Sequence, residues 1–236
     1  METGKNDPDF PKPIDYHRLF EGVRKFKSHE YIPRKDFFEN LGDHQHPHTL
    51  FIGCSDSRVV PTLLTSSLPG ELFVVRNIGN FIPHYQEDSE NQLATTSAIE
   101  FAVKQLKVDV IVVCGHSNCG GCAALYQDEE LKDMPHTRKW LELARPVKEL
   151  VGEKIKNNEI TLEERSLITE QMNVVEQMNH LKKYPYIRKR LLDGSLILMG
   201  WYYRIETGEI YNYERDRKMF VRIESASSAE RQSLSD

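Results

Sequence analysis

Thr49-Leu50-Phe51-Ile52-Gly53-Cys54-Ser55-Asp56-Ser57-Arg58 is a short apolar run that gives way abruptly to small and charged residues. A continuous apolar run bounded by a polar segment reads as a buried strand leading into a loop, because a strand covered on both faces has no polar side to show. Residues 72–75, introduced by Pro69-Gly70, have the same character, and so does Asp109-Val110-Ile111-Val112-Val113-Cys114. Between the last two, residues 91–106 set Leu93, Ile99, Ala102, Val103 and Leu106 on one face of a helix. Strands alternating with helices predict an α/β fold built on a mainly parallel sheet.

Working outward, residues 16–26 space Leu19, Phe20, Val23 and Phe26 as an amphipathic helix, and a second helix is expected around 34–41. Residues 1–13 hold Pro8, Pro11 and Pro13 and read as an arm. On the other side the chain reads as helical from 121 to 126, from 140 to 155 with an interruption at Pro146, and from 162 to 181. Residues 196–199 begin a fourth strand, and 202–205, Glu206-Thr207-Gly208 and 210–213 extend it into a hairpin. Residues 225–236 are Ser-rich with little to bury, which predicts a mobile tail. The expected organisation is a helical arm over 1–40, an α/β domain over 41–220 and a tail over 221–236.

The 236 residues are 39% hydrophobic and 28% charged, with a net charge of −5. No basic surface is implied, which argues against a nucleic-acid or anionic-membrane partner. No apolar run approaches the ~20 residues of a membrane helix. The opening Met1-Glu2-Thr3-Gly4-Lys5-Asn6-Asp7-Pro8 lacks an apolar core, so a cytoplasmic protein is expected, with an organellar one left open.

The four cysteines, Cys54, Cys114, Cys119 and Cys122, suit metal or thiol chemistry better than a disulfide framework. Two clusters fall where strands end: Cys54 to Arg58, and Cys114-Gly115-His116-Ser117-Asn118-Cys119-Gly120-Gly121-Cys122. Open parallel sheets bind ligands beyond the carboxyl ends of their strands. Neighbouring strands lie about 5 Å apart, so the two loops can share one ion. Cys54, His116 and Cys119 offer two thiolates and an imidazole, a set suited to zinc with a fourth position left for chemistry. Each has a plain alternative: Cys54 as a small core residue, His116 as a turn histidine, Asp56 and Arg58 as a surface ion pair. Cys114, within a strand, and Cys122, in the following helix, read as structural. Cys119-Gly120-Gly121-Cys122 also fits a thiol–disulfide site, a reading that leaves Cys54, His116 and Asp56 without roles. The glycines do not form a dinucleotide-binding fingerprint.

These residues resemble the β-class carbonic anhydrases. The resemblance rests on Cys54-Ser55-Asp56-Ser57-Arg58, Pro69-Gly70-Glu71, Arg76-Asn77-Ile78-Gly79-Asn80, Gly115 to Gly121 and Gly200-Trp201, and spans about residues 16–213. It implies a four-stranded parallel sheet with an added antiparallel strand, helices on both faces, and a zinc at the carboxyl edge. It implies homodimers or dimer-based tetramers whose N-terminal helices embrace the partner. The implied reaction is hydration of carbon dioxide to bicarbonate by zinc-bound hydroxide, with the pKa of water lowered from about 16 to about 7. Asp56 would orient that hydroxide, Arg58 would hold Asp56, and Gln45 would polarise a carbon dioxide oxygen. Phe81 and Tyr85 are expected either to line the substrate pocket or to be plain core, and His84 is a candidate proton relay. Alternatives are hydrolysis of carbon disulfide or carbonyl sulfide on the same scaffold, or a catalytically silent zinc-binding protein. Some members have a closed state in which the aspartate itself ligates zinc, linked to an inhibitory bicarbonate pocket of tryptophan, arginine and tyrosine. Arg76 and Tyr203 match two of these, but Phe51 stands at the tryptophan position and lacks its N–H donor. A buried anion short of one donor loses about 1–3 kcal/mol, so an open site near neutral pH is expected, with Asp56 paired to Arg58.

Overall fold

The computed structural model describes residues 16–87 and 93–224, so the expected proline-rich arm and residues 225–236 of the expected tail lie outside the described residues, whereas 221 and 222 of that tail belong to a strand. The chain divides into two units, 1–45 and 46–236. In the first, α1 (His17–Lys25) runs through a π-helical turn (Phe26–Tyr31) and a 3-10 turn (Ile32–Arg34) into α2 (Lys35–Asn40). Phe26, Tyr31 and Phe38 pack ring against ring, with Tyr31 stacked on Phe38 at 5.1 Å. Leu19, Phe20 and Val23 of α1 all stay exposed in this unit, Leu19 at 66%.

The second unit is built on a six-stranded sheet in the order β2-β1-β3-β4-β5-β6. β1 (Thr49–Cys54), α3 (Pro61–Thr65), β2 (Leu72–Asn77), α4 (Leu93–Glu100) with a π-helical end (Phe101–Gln105) and β3 (Val110–His116) come first. Then α5 (Gly120–Ala123), α6 (Pro135–Leu141), α7 (Arg145–Lys156), α8 (Arg165–Lys182) and α9 (Pro185–Leu192) lead to β4 (Ile197–Arg204), β5 (Glu209–Glu214) and β6 (Met219–Arg222). β2, β1, β3 and β4 are parallel, and β5 and β6 antiparallel. The mixed sheet is the expected one with a second antiparallel strand added at its edge. Pro146 starts a new helix after a 3-10 turn at Glu142–Ala144 instead of kinking a continuous one, as its fixed φ favours.

Alternation along the strands separates two apolar layers. Leu50, Ile52, Ile111, Val113 and Leu198 join Ile99, Ala102, Val174, Met178 and Leu181 in the main core. Phe51, Val112 and Cys114 lie on the other side with Met199, Trp201 and Tyr203. α8 contributes a polar ladder as well as apolar contacts. Asn173 Nδ2 donates to Gly79 O at 2.9 Å, Gln177 Nε2 donates to Asn173 Oδ1 at 2.9 Å, and Gln177 Oε1 accepts from Ile82 N at 2.7 Å. His180 Nδ1 continues it to Ile82 O at 2.7 Å. The ladder fixes the segment after β2 against α8. Glycines allow that segment to approach closely: a Cβ at Gly121 would stand 2.8 Å from Gly79 N.

Candidate metal centre

The register of the parallel strands places the centre. Gly53 pairs with Cys114 and Cys54 with Asn77, so β1 and β3 end side by side. Cys54 is the last residue of β1, His116 the last of β3, and Cys119 the N-cap of α5. One ligand atom from each lies within 4.8 Å of the other two, and all three residues are buried. The two thiols are free, with Sγ atoms 3.9 Å apart. That is too long for a disulfide and close to the S···S edge of about 3.8 Å in a tetrahedron with Zn–S bonds of about 2.3 Å.

His116 supplies the fit test. Its Nδ1 lies 2.9 Å from Ser117 O, so this nitrogen carries the proton. Nε2 then bears a lone pair, is fully buried, and has no hydrogen-bond partner. A buried acceptor without a partner is costly unless a cation takes it. Hydrogen bonding to Cys119, with burial, pushes the Cys54 thiol up to about 12. Hydrogen bonding to Cys122 contributes most to raising Cys119, also to about 12. Both are protonated at neutral pH until a cation displaces their protons. The donor set fits zinc.

Asp56 and Arg58 stand beside this set. Arg58 Nε donates to Asp56 Oδ1 at 2.9 Å and Nη2 to Oδ2 at 2.7 Å, a bidentate fork, while the Arg58 backbone N–H adds a third bond to Oδ1 at 3.0 Å. These bonds hold the Asp56 carboxyl far below the usual carboxylate range. Its Oδ2 lies 3.9 Å from His116 Nε2. Arg76 ties down the same loop from β2, Nε donating to Cys54 O at 3.0 Å and Nη2 to Asp56 O at 2.6 Å.

With this geometry established, the comparisons become specific. The sequence profile described as "Carbonic anhydrase" matches residues 49–210, from the start of β1 into β5. The chain belongs to the β class of the carbonic anhydrase family. A carbonic anhydrase of Helicobacter pylori J99 is 40% identical over 211 residues, 87% of this chain and 93% of that one. The solved β-carbonic anhydrase CcaA is 38% identical with a TM-score of 0.82, covering 89% of this chain and 92% of that one. One of two tetrameric β-carbonic anhydrases from Sordaria macrospora is 32% identical with a TM-score of 0.73, over 84% of this chain and 95% of that one.

The other expected residues of this β-class carbonic anhydrase fall as follows. Phe81 is fully buried in a cluster with Leu125, Leu131 and Leu141, stacked on Trp140 at 6.4 Å. Tyr85 packs against Tyr184 and Tyr186 at the edge of the main core. His84 is exposed and lies 4.0 Å, ring to ring, from the buried His180; burial first, then the charge of His180, lowers its pKa. Gln45 is the last residue of the first unit and is exposed. Phe51 meets Trp201 edge-on at 6.2 Å, and Tyr203 pairs with His116 across β4 and β3. Cys114 and Cys122 are both buried. Sequence reasoning missed Glu170, a buried acid on α8. Its Oε1 accepts from the Cys119 backbone N–H at 3.0 Å, and its Oε2 accepts from Tyr202 Oη at 2.7 Å. The available signal was an acid one helical turn before Asn173 and Val174 on the buried face of α8.

Proposed function

We propose that this chain is a zinc enzyme that interconverts carbon dioxide and bicarbonate, with Cys54, His116 and Cys119 holding the metal. The carrying observation is the unpartnered imidazole nitrogen of His116, facing two thiols and standing 3.9 Å from an arginine-clamped carboxylate. A structural zinc needs no such carboxylate. Zinc bound there supplies Lewis acidity to a water in the remaining position.

The protein's own groups do the rest. Asp56 is ionised and therefore only accepts hydrogen bonds. It takes the O–H of the reacting water, leaving the lone pair on that oxygen free to meet the carbon of carbon dioxide. Arg58 occupies both carboxylate oxygens, which fixes their direction and keeps them unprotonated. We assign Gln45 the role of amide donor to a carbon dioxide oxygen as negative charge develops. For Phe81 and Tyr85 the packing favours core support over direct contact with substrate. The Asp56–Arg58 fork supports the open arrangement as the resting state. We read the exposed apolar stripe of α1 as a surface covered by a second copy in a homodimer or dimer-based tetramer. Ordinary soluble composition supports a cytoplasmic setting, and no described helix is long and apolar enough to cross a membrane.

Stopped-flow measurement of carbon dioxide hydration tests the reading. Activity should vanish with a chelator and return with one equivalent of zinc. Zinc-loaded protein no faster than buffer overturns it.

A further inference from the structure

The catalytic reading leaves Glu206 unused. It sits in the turn between β4 and β5, remote in sequence from both site loops and exposed. Yet its carboxylate grips the loop between two of the metal ligands. Oε2 accepts from Ser117 Oγ at 2.8 Å, and Oε1 accepts from Asn118 Nδ2 at 2.5 Å. Ser117 Oγ in turn accepts from Ile205 N at 3.0 Å, and Ser117 N donates to Tyr203 O at 2.9 Å. Asn118 has a φ of 54°, in the left-handed region. Asparagine enters that region more readily than most non-glycine residues, and the direction its carbonyl keeps there depends on what holds its side chain. Glu206 supplies that constraint from the hairpin side.

The constraint has a target. Arg58 Nη2 donates both to Asp56 Oδ2 and to the Asn118 backbone carbonyl, the latter at 3.1 Å. The Arg58 side chain is 46% exposed, so water competes for its donors. The Asn118 carbonyl is what ties the guanidinium to the metal loop, and its direction depends on how Asn118 is held.

We propose that Glu206 is a positioning residue for hydration, acting through Asn118 and Arg58 on Asp56. The inference rests on the proposed function for its catalytic consequence, but the clamp itself does not. Both carboxylate oxygens accept; a glutamine keeps the Asn118 Nδ2 bond through its one oxygen and can turn its amide N–H towards Ser117 Oγ, so it preserves most of the clamp.

Zinc-loaded wild type, Glu206→Ala, Glu206→Gln, Arg58→Ala and the Arg58→Ala/Glu206→Ala double variant are compared. The measurements are zinc content, kcat and KM for hydration, and amide hydrogen exchange across residues 117–119. Every variant should keep about one zinc per chain. Glu206→Ala should lower kcat about tenfold with KM nearly unchanged, and speed exchange about tenfold. Glu206→Gln should restore both to within about threefold of wild type. The double variant should be no slower than Arg58→Ala alone, the signature of one residue acting through the other. The inference is overturned if Glu206→Ala matches wild type, if it loses zinc along with kcat, if Glu206→Gln is as slow as Glu206→Ala, or if the double variant's losses simply add. An inactive wild type defeats the proposed function instead, while the exchange rates still decide whether the clamp exists.

Discussion

His116 shows how one hydrogen bond decides the chemistry of a residue. With its Nδ1 proton given to Ser117 O, the ring can only present a lone pair at Nε2. Cys54 and Cys119 carry protons that a cation must expel. Adding zinc to metal-depleted protein at pH 7.5 should therefore release two protons from the thiols per zinc bound, and a further fraction from the water in the fourth position, followed with a pH indicator. Elemental analysis should show Cys54→Ala and Cys119→Ala with little zinc; full retention in both removes these residues from the site. Arg58→Ala should keep zinc and cut turnover by about 10–100-fold, because Asp56 loses both direction and its depressed pKa. The grouping of Cys54, His116 and Cys119 and the pairing of Asp56 with Arg58 were legible in sequence because each sits at or just beyond the polar end of an apolar run, where a strand must stop. Glu170 was not. Its partners are a backbone N–H on a different element and a tyrosine on β4, and nothing in local spacing encodes such a contact.

Among the elements, α8 carries the most non-local information. Its ladder of Asn173, Gln177 and His180 satisfies the backbone of residues 79–82, which has no strand partner to do so. Gln177→Leu should leave Ile82 N–H buried and unpaired and destabilise by about 1–3 kcal/mol in urea unfolding. Zinc content at a denaturant-free pH 7.5 should stay near one, because none of the ladder touches the ligands. β1, β2, β3 and the β4–β5 hairpin were readable as apolar runs with turn signals. β6 was not, since Met219–Arg222 is four residues long and follows the charged stretch Glu214 to Lys218. α9 was also missed, although Pro185 at its first position and Gly194 in the left-handed region just beyond its end are ordinary start and stop signals.

For the molecule as a whole, two properties follow from what α1 exposes and what α8 buries. Placing Glu at both Leu19 and Phe20 should shift sedimentation towards monomer if a second copy covers that stripe; an unchanged species leaves the stripe unexplained. Glu176 stands 3.1 Å from His180 Nε2, with Asn179 and Lys183 nearby, and its carboxyl is held low chiefly by His180. A depressed carboxyl stabilises the fold above its unfolded pKa of about 4.3, and the contribution fades as pH falls through the lower folded value. The urea midpoints of wild type and Glu176→Gln should therefore differ at pH 7 and converge on acidification. The metal centre's place at two strand ends has a kinetic consequence. Cys54 and Cys119 are 65 residues apart, and only the pairing of β1 with β3 brings them together. Such a high-contact-order junction forms late on the folding path, after the chain has bridged the intervening loop. Zinc should then leave the refolding rate almost untouched and act on the unfolding rate, turning the ion into a latch that closes behind a finished topology.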